Sequence, residues 1–486
     1  MGTWQQRVRS SERYRWWALV VLLLGFFSTG ISITILTAVL PTIAREFGVG
    51  NHTIAWVVTG PMLMFGILMP TLGKAADLYG RKRVYLLGWG ISMALAGIAA
   101  LSWSAGSLIA FRFLGAAAGA ATGPATMAII LSAFPPTERV KAMGWWSFAG
   151  AGAPVIGLVI GGPLVDLVGW RWIFGVQPPL AVPGLVLAAL VLRPDRVEER
   201  PRFDIAGSVV LGLMMGSLLF GLNRWGAAEG WARPDVVVPL ALTPILGWLF
   251  VRIERRQVEP LIRLDYLRRR NVAVPILIQG IGVIPYMGTF FLAPFLLQDV
   301  LGYDNAKTAL TLFPRPLSNS IMSAVAGYIT VRVGERVSAV GGMAALAAGL
   351  VVLSGVDAGS GSAPIVAALV LTGAGLGVSL PGLASSVAND VEERDFGAIS
   401  AAQEMVFMVG NVLGMQGLQT IQAMRARVGG TVAGYQDAFV IGAVLAVIAM
   451  VLAFFVRPMH RSQPVPPMES PEAPLVPQPV RDAGLG

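Results

Sequence analysis

The chain is 486 residues long, 55% apolar and only 13% charged, with a mean hydropathy of +0.69; this composition excludes an ordinary soluble domain and points to a bilayer. The absence of cysteine excludes disulfides and thiolate metal sites, and the two histidines, His52 and His460, fall in polar segments, so neither a metal centre nor a cofactor is expected. The net charge of +9 is spread over short loops between apolar runs, where Lys and Arg set topology and meet lipid headgroups. It is not gathered on one aromatic-rich face, as nucleic-acid binding would need.

Residues 1–16 form a polar segment carrying Arg7, Arg9, Arg13 and Arg15, and the apolar run behind it is too long for a signal peptide and has no cleavage pattern. Judged against about 20 residues per span, runs of crossing length follow at 16–40, 53–72, 84–102, 108–134, 143–168, 172–192, 205–222, 236–251, 272–297, 308–331, 337–355, 364–388, 398–423 and 438–456. Fourteen spans put both termini on one side. With the N-terminus inside, 27 of the 36 Lys and Arg residues lie in inside loops and tails and 7 in outside loops, which predicts cytoplasmic termini. The segment 457–486 holds eight prolines and little that is apolar, so it is expected to be a disordered cytoplasmic tail.

Two charged loops, 193–204 and 252–270, flank the spans at 205–222 and 236–251. Without that pair, six spans remain on each side, which predicts an N-terminal six-helix bundle over 17–192, two inserted helices over 205–251 and a C-terminal six-helix bundle over 272–456. The loop after the second span of each half is related: GKAADLYGRKR (73–83) and GYITVRVGER (327–336) both place two glycines seven residues apart before a base. Internal repeats of this kind underlie alternating access in many carriers. A P-loop is excluded because Lys74 precedes Ala75 with the wrong upstream spacing, and a membrane enzyme lacks the clustered Asp, His, Ser or Cys it would need.

On Gly73, Asp77, Gly80, Arg81 and Lys82, with VGWRWIFGVQP (168–178) and the Glu254 to Pro260 stretch, the chain resembles the major facilitator superfamily. The resemblance is closest to its fourteen-span drug:proton antiporters. It implies an all-α integral membrane protein of two six-helix bundles plus two central helices, located in the cell membrane as a monomer. The implied activity is proton-coupled export of drug-like or lipid-like amphiphiles by alternating access, with the amphiphile, protons and lipids as partners; an uncoupled facilitator, channel or sensor is the alternative. It also implies that Gly73, Asp77, Gly80, Arg81 and Lys82 form a cytoplasmic gate, with Asp77 facing the N-terminus of a helix beginning near Gly397. Span five supplies Gly144, Gly157, Gly161 and Gly162, with Pro154 the candidate for a bend.

Three ionisable groups lie clearly inside spans, Arg112, Arg315 and Glu404, and such groups are retained only with a partner or a purpose. The span-one aspartate of the family is replaced by Ser32. Helix rise places Ser32 about 24 Å above the inside face, Arg112 about 9 Å and Arg315 about 12 Å below the outside face, and Glu404 about 10 Å above the inside face. Glu404 and Arg315 then differ in depth by about 8 Å, within reach of long side chains and a water. Glu404 is the candidate proton carrier, acted on by Arg315 or Arg112; a static Glu404 to Arg315 pair, or a solvated Glu404, is the competing reading. Two arginines against one carboxyl predict a preference for neutral or anionic amphiphiles. Ser32, Gln279, Gln403 and Asn411 are the candidate polar groups of the substrate cavity. Met62, Met64 and Phe65, or Phe290, Phe291 and Phe295, could line it, but residues of this kind more often face lipid or neighbouring helices.

Overall fold

A computed structural model describes residues 11, 13–49, 51–54, 56–194, 204–227, 233–257, 260–261, 263–303 and 305–457, giving only the helical backbone for 26–35, 37–41, 51–52, 59, 154–168, 223, 226–227 and 305–306. Among the described residues every regular element is helical. The principal helices are α1 (Tyr14–Phe47), α2 (Trp56–Tyr79), α3 (Arg81–Ala99), α4 (Ala105–Gly119 continued by Thr122–Ala133), α5 (Arg139–Val168), α6 (Arg171–Gly175 continued by Gln177–Val191) and α7 (Ile205–Ala227). They are followed by α8 (Pro234–Glu254), α9 (Arg270–Phe295), α10 (Asn305–Leu312 continued by Pro314–Val333), α11 (Glu335–Ser354), α12 (Ser362–Asn389), α13 (Phe396–Gly429) and α14 (Thr431–Ala453). Each falls on one of the apolar runs, and among the described residues ten are long and apolar enough to cross a membrane. Helix α3 opens on Arg81, Lys82 and Arg83, and α10 carries Arg315, Asn319, Ser320 and Ser323 on its buried side.

Large apolar side chains remain exposed in rows along outer helices, among them Val238, Leu242, Ile245 and Trp248 on α8 and Val444, Val447, Ile448 and Val451 on α14. Apolar surface on this scale is a lipid-facing belt. Helices α1–α6 pack chiefly among themselves, as do α9–α14. Helix α7 lies between them: its Gly212 and Gly216 back onto Ile67 of α2, and its Leu211 and Met215 share a core with Ala402 of α13.

The repeat is written in the backbone. Six glycines have positive φ among the described residues, and they pair by position in the two halves: Gly48 (φ 64°) with Gly302 (65°) after the first helix, Gly80 (100°) with Gly334 (90°) after the second, and Gly169 (82°) with Gly430 (87°) before the sixth. L side chains rarely adopt such conformations, so glycine is required where these turns recur. The base two residues after each second-loop glycine has a common task. Lys82 donates to the carbonyls of Ala189 (2.6 Å) and Leu192 (2.7 Å) at the end of α6, and Arg336 donates to the Val456 carbonyl (2.7 Å) beyond the end of α14. Each satisfies orphan carbonyls at a helix C-terminus, where positive charge is favoured. Gly334→Ala has open space for its methyl, so only backbone strain opposes it, about 1–3 kcal/mol. A lowered thermal midpoint of the purified protein is expected, with Gly341→Ala as the unstrained control.

Candidate functional site

On the side of the bundle that carries the basic loops, the two groups of helices meet along two seams. In the first, α2 reaches α13 through glycine. A methyl group on Gly73 would lie 2.5 Å from Ala401 Cβ and 2.7 Å from the Gly397 carbonyl oxygen. One turn on, Asp77 accepts hydrogen bonds from the backbone N–H of Gly397 (3.1 Å) and of Ala398 (2.9 Å). Helix α13 has no side-chain cap of its own and no acid in its first turn. Its unsatisfied amide groups and positive dipole end are therefore met by a carboxylate from the other half. Arg81 holds that carboxylate in place from within its own half, Nε to Oδ1 at 2.9 Å, and also donates to the Glu393 carbonyl.

Several members of this cluster were not legible in the sequence. The Phe396 ring, 1% exposed, lies between two guanidinium groups, Arg81 at 5.7 Å and Arg139 at 4.8 Å from its centroid. Arg139 also donates to the Ala388 carbonyl and to Asn389 Oδ1 (2.8 Å) at the end of α12. The loop before α9 is strapped onto the same place: the Tyr266 hydroxyl donates to Asp395 Oδ2 (2.8 Å), and Arg263 pairs with Asp395 at 3.3 Å. Burial, then the bond to Asp395, pushes the Tyr266 phenol above its usual range, so it stays a donor at neutral pH. Arg139 sits in a basic loop like any topology signal, and Phe396 in an apolar helix start, so neither is distinguished without the fold.

The second seam joins α5 to α10 and holds no ion pair among the described residues; Lys141 of α5 stands 5.8 Å from the Tyr328 ring centroid of α10. Methyl groups on Gly144 and Gly327 would lie 2.6 Å from the Ser323 carbonyl oxygen and 2.9 Å from Lys141 Cα. Ser320 Oγ donates to the Phe148 carbonyl at 2.9 Å. Gly144 therefore packs helices together here. Pro154, Gly157, Gly161 and Gly162 lie outside the described side chains, as does Ser32.

Above the seams, α13 turns one face inward. Gly397, Ala401 and Met408 meet α2, Ala402 belongs to the α7 core, and Val406, Gly410 and Gly414 meet α9. At 100° per residue, Ser400, Glu404, Phe407 and Asn411 fall in the remaining sector, with Gln403 at its edge. Ser400 Oγ, both polar atoms of Gln403, Asn411 Oδ1, and Gln279 Oε1 on the facing α9 are buried without a hydrogen-bond partner among the described residues. Native interiors rarely leave such groups unmatched, so this is a polar surface prepared for water or ligand.

The embedded charges are not paired with one another. Among the described residues no ion pair within 4.0 Å includes Glu404, Arg112 or Arg315. Arg112 donates to the Val57 carbonyl (3.3 Å) and stands 5.6 Å from the Phe174 ring centroid. Arg315 donates to the Tyr286 carbonyl. The static Glu404 to Arg315 pair, the competing reading of the sequence, is therefore absent among the described residues, and depth is the reason. Helices α9 and α13 run parallel, with Gly280 on Val406 and Gly288 on Gly414 and Leu418, so Tyr286 is level with residue 414 and Glu404 lies ten residues lower, about 15 Å. Counting from loop ends gave about half that separation, because it fitted every helix to one bilayer thickness of about 30 Å, whereas α9 has 26 residues and α13 has 34.

The comparisons agree with this architecture. The family model for the Major Facilitator Superfamily matches residues 22–415. The chain is 30% identical over 465 residues to the puromycin resistance protein pur8 of Streptomyces alboniger, covering 90% of this chain and 91% of that protein. It is 26% identical to the multidrug transporter protein MdtP of Bacillus subtilis, covering 83% and 75%. Among solved structures it is similar to the human organic anion transporter MFSD10 (TM-score 0.69, 16% identity, covering 90% of this chain and 99% of that one). It is also similar to the proton:xylose symporter XylE (TM-score 0.65, 13% identity, covering 92% and 96%). The chain belongs to the major facilitator superfamily and is a membrane transporter, not an enzyme.

Proposed function

We propose that this transporter is a fourteen-span exporter of drug-like or lipid-like amphiphiles, neutral or anionic in preference, driven by proton influx. The inside-loop charge bias places the basic-loop side and both termini in the cytoplasm, so the two seams form the cytoplasmic gate, closed here. Opening it requires Asp77 to leave the first turn of α13, and the two six-helix halves then rock about the inward face of α13.

The observation that carries the coupling is Glu404: a carboxyl on the inward sector of a crossing helix, with no cation within ion-pair distance among the described residues, is a group retained for a purpose. Resistance and export of antibiotics among relatives at about 30% identity support the substrate class. The test is uptake of an amphiphilic dye into everted vesicles carrying the purified protein. Saturable accumulation that needs an acid lumen and collapses with an uncoupler is expected. Flux that does not saturate, or that ignores the pH gradient, would replace this reading with a channel or an uncoupled facilitator.

A further inference from the structure

Arg315 is 1% exposed and lies ten residues into α10, about 15 Å from its start. A single hydrogen bond, to the Tyr286 carbonyl, engages one terminal nitrogen; Nε and the other terminal nitrogen have no partner among the described residues. The guanidinium stacks 3.8 Å from the Tyr286 ring centroid and 5.5 Å from that of Phe290. Two prolines, Pro314 and Pro316, flank it and remove the amide donors beside it, leaving its own N–H groups as the donors of this turn. Around it the polar groups are already spent on one another: Asn319 donates to the Tyr286 hydroxyl (2.8 Å) and Ser323 to Asn319 Oδ1 (3.3 Å). The acid of the inward face, Glu404, is about 15 Å lower, and among the described residues no carboxylate lies within ion-pair distance of Arg315.

A buried cation with unmade hydrogen bonds is costly unless something fills it. We propose that Arg315 is the anion-recognising subsite of the transport pathway: it takes the carboxylate or sulfonate of an aromatic amphiphile whose ring system extends the Tyr286 and Phe290 stack. This rests on the export reading above and adds to it where the acidic group is held. Charge-assisted bonds from guanidinium to an oxyanion are the strong ones, and stacking on aromatic faces leaves the guanidinium edge free to make them.

The test uses purified full-length protein and two probes of one shape, 1-anilinonaphthalene-8-sulfonate and the corresponding neutral sulfonamide, followed by fluorescence titration without any gradient. Wild type is expected to bind the sulfonate about tenfold or more tighter than the sulfonamide. Arg315→Gln should reduce that ratio to about twofold or less with sulfonamide affinity unchanged, which also reports that the variant is folded. Asn319→Asp sets a carboxylate one turn from the guanidinium and should cancel the preference with Arg315 still in place. A preference surviving Arg315→Gln, no preference in wild type, or equal loss of both probes overturns the subsite. Loss of vesicle export with the binding preference intact would instead count against the export reading alone.

Discussion

Glu404→Gln is expected to abolish substrate-driven proton movement while leaving substrate binding in place. The carboxamide keeps the size and the polarity of the side chain but neither takes up nor releases a proton at any accessible pH. Dye-driven proton release from everted vesicles should fall about tenfold or more, a loss of at least about 1.4 kcal/mol in coupling. Neutral-amphiphile affinity should stay within about threefold, since uniform binding is not what the mutation removes. Glu404→Asp restores a titratable group, displaced by one methylene, and is expected to recover part of the coupling. Undiminished proton movement in Glu404→Gln would exclude this residue as the carrier.

Gly73→Ala and Asp77→Asn are expected to hold the cytoplasmic gate open, by different forces. The alanine methyl meets Ala401 Cβ at 2.5 Å and the Gly397 carbonyl at 2.7 Å; one is a branchless side chain and the other backbone, so neither can yield without separating α2 from α13. Asp77→Asn keeps an acceptor oxygen but withdraws the charge from the helix end and leaves Arg81 without its ion-pair partner. Breaking a buried pair on one side costs about 3–5 kcal/mol. Part of that is recovered by water once the gate opens, so export is expected to drop at least about tenfold in either variant. The natural chain has no cysteine, which makes accessibility direct to read. Ser400, on the inward sector just behind the α2 contact and fully buried, becomes the probe as Ser400→Cys. Its labelling by an impermeant thiol reagent from the cytoplasmic side should accelerate about tenfold in both backgrounds. Unchanged labelling would show that this seam does not gate the pathway.

Much of the architecture was legible because its signals are local. Apolar runs, loop charge and the glycine spacing in 73–83 and 327–336 each act within a few residues, and each falls on a helix or a turn of the expected kind. The contact of Asp77 with a helix beginning near Gly397 came instead from the family resemblance of its loop, and Asp77 accepts from the Gly397 and Ala398 N–H groups. What could not be read was the relative height of groups on different helices. The separation of Glu404 from Arg315 depends on where α13 starts, on the break in α10 and on the parallel register of α9 with α13, none of which is a local property. The packing of Phe396 between Arg81 and Arg139 was hidden likewise, since it joins residues hundreds of positions apart through three helices.

The left-handed glycines show that the two halves share one backbone plan, yet the side chains laid on it differ at one telling place. Val331 stands where Asp77 would stand in the other half, four residues after Gly327 as Asp77 follows Gly73. Of two pseudo-equivalent seams, then, one is clasped by a carboxylate and the other by close backbone contact, the Ser320 to Phe148 bond and Lys141 over the Tyr328 ring. Only the first depends on a carboxylate. The duplicated frame therefore carries a carboxylate clasp at the α2 and α13 seam that its counterpart between α5 and α10 does not repeat.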